Sequence, residues 1–304
     1  MPNYRLVTYE SEQGPRPAVV ADGQVFGFDE LGAGSPYRTM PDVLDDWDRA
    51  HALIENRTTA RIAGKPLKSV KLLAPVLYPS SIYCAGANYV DHVQEMARVQ
   101  NLELEADPRS RGLKPWHFIK AARSIVESGA RIELPGYSKM VDWEVELAVV
   151  IGRKAKNVEG SRALDYVAGY TIANDLSARD FTARPQMAAT SPFRYDWVSQ
   201  KCFDAACPIG PWIVPASEIP DPQQLGIRLW VNDVIKQDSH TSKMIFTVAD
   251  QIEFLSTRMT LYPGDIILTG TPAGVGLARN EFIRPGDTVR LWIERIGTLI
   301  NTFV

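Results

Sequence analysis

The sequence predicts an α+β protein that is mostly β, with a small N-terminal domain over residues 1–75 and a larger one over 76–304. Three observations lead there. From about residue 76, strand-like runs recur with Gly and Pro between them. Only a few helical stretches interrupt those runs. No strand–helix alternation of the kind that builds a parallel sheet is present. With 304 residues, 45% hydrophobic and 23% charged, the chain has ordinary globular proportions and enough length for one or two domains.

In the first 75 residues, Tyr4-Arg5-Leu6-Val7-Thr8-Tyr9 reads as a strand. Pro17 to Val20 and Gln24 to Phe28 flank Asp22-Gly23, a hairpin signal. A helical stretch follows over about 40–60, and Val70 to Leu73 forms a short strand between Pro66 and Pro75. His51 reads as a helix-surface residue. Beyond residue 76, strands are expected at Ser81 to Gly86, Glu144 to Ile151, Val167 to Asn174, Ile209 to Val214, Gly226 to Val231 and Asp265 to Leu268. A helix begins near Thr247, which can cap it with Asp250 three residues on.

Lys and Arg total 33 against 36 Asp and Glu, a net charge of −3. Nucleic-acid binders carry a basic excess, so that role is not expected. No apolar run approaches the ~18 residues of a membrane-spanning helix, and the first residues do not read as a signal peptide. The three cysteines, Cys84, Cys202 and Cys207, form no CxxC and cannot all pair. They read as free thiols in a reducing compartment, so a cytoplasmic protein is expected.

The chemistry concentrates in four segments. In Val141 to Gly152, strand alternation puts Val141, Trp143, Val145, Leu147 and Val149 on one face and Asp142, Glu144 and Glu146 on the other. Two glutamates entering a buried strand repel each other, and a hard divalent cation would compensate. A solvated edge strand would show the same alternation. Asp175, at the end of the strand Val167 to Asn174, offers a third carboxylate, though a helix N-cap would also use it. In Ala87 to Met96, Asn88 can cap a helix that places His92 and Glu95 at i and i+3, either a base oriented by a carboxylate or a surface pair. Lys201 precedes an apolar, Pro-containing stretch, where a partly buried ammonium can stabilise an oxyanion; an exposed lysine is the plainer alternative. The glycines of Leu268 to Gly276 allow close backbone approach without spelling a phosphate loop or a dinucleotide fingerprint.

In this order, with Gly169 to Asp180, Val231-Asn232-Asp233, Gln237, Thr241, Met244-Ile245-Phe246 and Pro263 to Gly276, these segments resemble the fumarylacetoacetate hydrolase family over about residues 76–301. The likeness is to its acylpyruvase and 2-hydroxyhepta-2,4-diene-1,7-dioate isomerase-like branch. The resemblance implies mixed, barrel-like curled sheets, a homodimer, a role in aromatic-compound catabolism and a Mg²⁺ or Mn²⁺ (sometimes Ca²⁺) site. It implies Glu144, Glu146 and Asp175 as metal ligands and His92 with Glu95 as the base dyad. It implies Lys201 as oxyanion support, and Lys120, Arg179, Gln237 and Thr271 as substrate contacts. Ala121-Ala122 follows Lys120 where the family usually has Pro, and His240 stands where a small polar residue is usual. The implied reaction is C–C hydrolysis of a 2,4-diketo acid to pyruvate, or an analogue, and a carboxylic acid. Isomerisation or tautomerisation of 2-oxo-dienoates, oxaloacetate decarboxylation and a non-catalytic organic-acid binder are the alternatives. Specificity is expected in the segments about 96–115 and 181–196.

Overall fold

Asp22 (φ 48°) and Gly23 (φ 72°) reverse the chain between the strands Gly14–Ala21 and Gln24–Gly27, which pair from Ala21↔Gln24 onward. Positive φ at both central positions matches the twist of a two-residue hairpin. A computed structural model describes residues 4–31, 35–57, 63–101 and 108–304. The N-terminal hairpins do not stand apart. Tyr4–Ser11 pairs with Cys207–Pro215 at Leu6↔Ile213, so the first strands extend a central sheet.

From edge to edge the main path of that sheet runs Lys65–Pro66, Gln24–Gly27, Gly14–Ala21, Tyr4–Ser11, Cys207–Pro215, Val167–Asn174, Val145–Ile151, Ile266–Leu268, Ile82–Ala85 and His117–Lys120. The path has two free ends, so no barrel closes among the described residues, and the barrel-like curl expected from the resemblance stops short of closure. A second sheet orders Val234–His240, Gly226–Val231, Thr288–Ile293, Gly297–Phe303 and Arg131–Ile132.

All seven residues of Val145–Ile151 are buried. Val145, Leu147, Val149 and Ile151 pack in one core with Ile227, Leu229, Leu291 and Leu299 of the second sheet. Ala148 and Val150 point the other way, into a core with Leu6, Ile82, Ile213, Met40 and Leu44. A strand covered on both faces reads as a near-continuous apolar run. The carboxylates at 144 and 146 therefore lie where this strand leaves a dry core.

Val248–Arg258 is helical, with the reciprocal Thr247–Asp250 capping box in place. Met40–Asp45 and Trp47–Arg57 form the expected early helical stretch, the first capped by Thr39. Two capping expectations are corrected. The residue at the N-cap of the helix Val90–Gln100 is Tyr89, without a side-chain cap bond. Asn88 instead donates to the carbonyls of Phe246 (2.9 Å) and Thr269 (2.8 Å). Asp175 caps no helix; it leads into the short strand Ser177–Ala178.

Candidate active site

Val145–Ile151 and Val167–Asn174 are antiparallel, with Val145 opposite Asn174. That register places Glu144, one residue before the first strand, beside Asp175, one residue after the second; the Asp175 N–H donates to the Glu144 carbonyl at 2.9 Å. Glu146 shares the face of Glu144 two residues on. Glu144, Glu146 and Asp175 each bring one carboxylate oxygen within 4.8 Å of the others, and all three residues are buried. The solvated edge strand is thereby ruled out.

Three cations surround them. Lys201 ends the helix Trp197–Lys201, whose N-cap Asp196 accepts from the Ser199 N–H at 3.0 Å. Its Nζ lies 2.7 Å from both Glu144 Oε2 and Asp175 Oδ2. Lys120, at the end of the edge strand His117–Lys120, donates to Asp175 Oδ1 at 2.6 Å and to the Leu176 carbonyl at 3.0 Å. Ala121 in place of Pro leaves Lys120 buried in the site. Arg179 Nε donates to Asp142 Oδ2 at 2.9 Å, and its guanidinium also reaches Glu144 Oε1.

Burial disfavours the charged form of Glu144, but Arg179 and Lys201 outweigh it and hold that carboxyl well below the usual range. Glu146 goes the other way. Burial, then Asp175 and Glu144, push it well above the usual range, although the Gly270 N–H donates to its Oε2 at 2.7 Å. Burial disfavours the Lys201 ammonium, yet Asp175 and Glu144 keep it firmly protonated.

The donor set fits a hard divalent ion. Three buried carboxylates converge, and one of them, Glu146, is too deeply buried and too crowded by like charge to ionise easily without a further cation. Asp142, Glu144, Glu146 and Asp175 outnumber Lys120, Arg179 and Lys201 by one charge. A divalent ion would make the cluster net positive, which suits an anionic ligand.

His92 and Glu95 both lie on Val90–Gln100. His92 Nδ1 is buried and has no hydrogen-bond partner. Burial lowers its pKa to about 4, with Glu144 opposing and Arg179 reinforcing the shift, so the imidazole is neutral at pH 7. Glu95 does not supply that partner: its Oε2 accepts from the Gly274 N–H at 2.7 Å. Gln237 and Thr271 are buried, bonded to each other and to the backbone of Val145, between Glu144 and Glu146. Gln237 Nε2 donates to Thr271 Oγ1 and the Pro272 carbonyl, both 2.8 Å, and its Oε1 accepts from the Val145 N–H at 3.0 Å. His240 caps the turn Thr241–Lys243, accepting from the Ser242 N–H at 3.2 Å.

Asp142 has a place here that sequence reasoning did not give it. Fully buried, it accepts from Arg179 Nε and from the N–H groups of Gly276 (2.6 Å) and Leu277 (3.0 Å). Its position two residues before Glu144, on the same face, was the available signal. Asn174, whose Oδ1 accepts from the Glu144 N–H at 3.0 Å, had none beyond adjacency to Asp175.

Residues 81–304 match the model for the fumarylacetoacetate (FAA) hydrolase C-terminal family. The chain belongs to this family. It is 39% identical to the oxaloacetate tautomerase Fahd2a, mitochondrial, of Rattus norvegicus over 307 residues, covering 99% of this chain and 92% of the relative. The fold is similar to that of 2-hydroxyhepta-2,4-diene-1,7-dioate isomerase from Mycobacterium marinum: TM-score 0.69, 35% identity, 99% of this chain and 98% of that one. It is also similar to maleylpyruvate hydrolase from Sphingobium sp. SYK-6 in complex with manganese(II) ion and pyruvate: TM-score 0.76, 28% identity, 99% and 98% covered. The chain is thus an enzyme of the fumarylacetoacetate hydrolase superfamily, with an acidic triad suited to a divalent metal. Among the described residues no helix is long and apolar enough to cross a membrane.

Proposed function

We propose that this enzyme interconverts the keto and enol forms of a 2-oxo dicarboxylate of the oxaloacetate type, with Mg²⁺ or Mn²⁺ held by Glu144, Glu146 and Asp175. The carrying observation is the neutral, buried imidazole of His92, with Nδ1 unpartnered, on the helix facing a triad already braced by cations. The bound ion would act as a Lewis acid toward the oxygens of a 2-oxo acid. His92 can take the proton from the carbon beside the 2-oxo group and deliver it to the enolate oxygen, and the reverse transfer restores the keto form. Lys201, held protonated by Asp175 and Glu144, presents a donor toward developing negative charge, and Lys120 Nζ lies beside it on Asp175. Arg179, and the cluster once a divalent ion made it net positive, would attract the substrate carboxylates. The 39% identity to a tautomerase across nearly the whole chain supports this reading.

C–C hydrolysis of a 2,4-diketo acid is the second reading. His92 and Glu95 on one helix favour it, because a Glu95-oriented imidazole would activate water; Glu95 is here bonded to Gly274 instead. Proton NMR of oxaloacetate, acylpyruvates and ring-fission 2-oxo-dienoates, with Mg²⁺ and with chelator, separates the two. Metal-dependent exchange of keto and enol forms with unchanged carbon count is expected. Pyruvate plus an acid, with no such exchange, would replace tautomerisation by hydrolysis.

Residues 1–75 and 76–304 form two units sharing one sheet. A homodimer is proposed, since the edge strand His117–Lys120 exposes Ile119 (61%) and the helix Trp197–Lys201, stacked on that strand through Trp197 and Phe118, exposes Val198 (71%); light scattering tests it. The free thiols Cys84, Cys202 and Cys207 suit a reducing compartment such as the cytoplasm, whereas the rat relative is named mitochondrial.

A further inference from the structure

We propose that Asp91 is a positioning residue that fastens the His92-bearing helix to the loop holding the ligand Glu146. The activity part of this inference rests on the proposed tautomerase reading; the geometry does not.

Asp91 opens the helix Val90–Gln100 and gathers donors from three places. Oδ2 accepts from Ser239 Oγ at 2.6 Å and from Lys243 Nζ at 3.1 Å. Oδ1 accepts from the Ala273 N–H at 3.3 Å and from the His92 N–H at 2.9 Å. Glu95, four residues on, lies on the same helix face. It takes the next backbone donor of the same loop, the Gly274 N–H, at 2.7 Å. Two carboxylates one turn apart thus grip successive amides of one loop. That backbone can lie so close only because residue 274 is glycine: its φ is +102°, and a Cβ there would sit 2.0 Å from the Lys236 carbonyl oxygen. The loop starts at Gly270, whose N–H holds Glu146. Behind Asp91, Asn88 ties the root of the helix to Phe246 and Thr269.

The consequence is a fixed path from ligand to base. Glu146 is set by Gly270, the loop runs on to Ala273 and Gly274, and Asp91 with Glu95 sets the helix on that loop. His92, the next residue after Asp91, is thereby aimed while Nδ1 stays free. Asp91 touches none of the three triad carboxylates, so its loss should leave the metal site standing and misplace only the base.

The test compares wild type, Asp91→Ala and Asp91→Asn. Hydrogen exchange by mass spectrometry follows the amides of 92–100, titration follows the Mn²⁺ affinity, and oxaloacetate turnover gives kcat and KM. For Asp91→Ala, exchange should speed up about tenfold or more, the scale set by losing hydrogen bonds to a charged group. kcat should fall by a similar factor, with Mn²⁺ affinity near wild type. Asp91→Asn keeps one acceptor oxygen and should recover part of both losses. Wild-type exchange in Asp91→Ala, or a parallel collapse of Mn²⁺ affinity, overturns the proposal. Should Asp91→Ala not fold, Ser239→Ala removes one Asp91 bond and must show a smaller acceleration in the same amides; no change there overturns it too. If wild type does not act on oxaloacetate at all, the functional reading fails while the exchange result still decides this one.

Discussion

Lys120 and Asp175 stand 55 residues apart in sequence, yet Nζ meets Oδ1 at 2.6 Å with both side chains out of solvent. Breaking a buried pair from one side leaves an uncompensated charge, at a cost of about 3–5 kcal/mol. Lys120→Met should lose stability on that scale in urea with chelator present. Saturating Mn²⁺ should restore part of it, because the ion replaces the missing positive charge. Equal losses with and without Mn²⁺ would detach Lys120 from the metal site.

Glu146 should bind metal as a proton-releasing ligand. Its pKa is raised above the ordinary 4.5, so the metal-free protein keeps this contribution to stability below that value and loses it as pH rises through the raised value. Metal must displace the proton, so below the raised pKa the affinity rises roughly tenfold per pH unit. Calorimetric titration in two buffers of different ionisation enthalpy should show proton release, and Glu146→Gln should abolish it. Identical heats in both buffers would contradict the assignment.

For His92 the shift is downward, from 6.5 to about 4. As a base it stays neutral well below pH 6.5, so the acid limb of kcat/KM that it controls should fall near pH 4. The same depression costs stability as pH drops from 6.5 toward 4, because the unfolded chain takes up the proton first. His92→Ala should retain Mn²⁺ binding and lose turnover. A limb at 6.5 would mean that the imidazole is solvated in the working enzyme.

Gly274→Ala should destabilise the protein by about 1–3 kcal/mol, the range for forcing a side chain into a positive-φ position, and more if the Lys236 carbonyl cannot move. It should also lower kcat, since the Gly274 N–H is where Glu95 is held. Urea titration with a kinetic assay checks both; wild-type kcat would show that this contact is dispensable.

Much of the site was legible because strands write their faces into sequence. Glu144 and Glu146 at i and i+2, followed by the apolar run 147–151, pointed to carboxylates entering a core, and the burial of the whole strand decided it against a solvated edge. Strand Val167–Asn174 and the capped helix from Thr247 were equally local signals. Asn88 misled because its amide serves a remote clamp on Phe246 and Thr269 rather than the adjacent helix. Asp142 was passed over because its worth lies in Arg179, Gly276 and Leu277, none of them near it in sequence.

By itself the sequence determined the mostly β class, the strand that Glu144 precedes and Glu146 belongs to, and the family, because these depend on local periodicity and on the order of short motifs. Only the tertiary structure decided what meets at the site. The register Val145↔Asn174 brought Asp175 to Glu144, the edge strand and the helix Trp197–Lys201 delivered Lys120 and Lys201, and the loop at Gly274 took Glu95 away from His92. Such meetings follow from strand pairing and the packing of distant segments, and the balance of charge they create exists only once those segments are buried together.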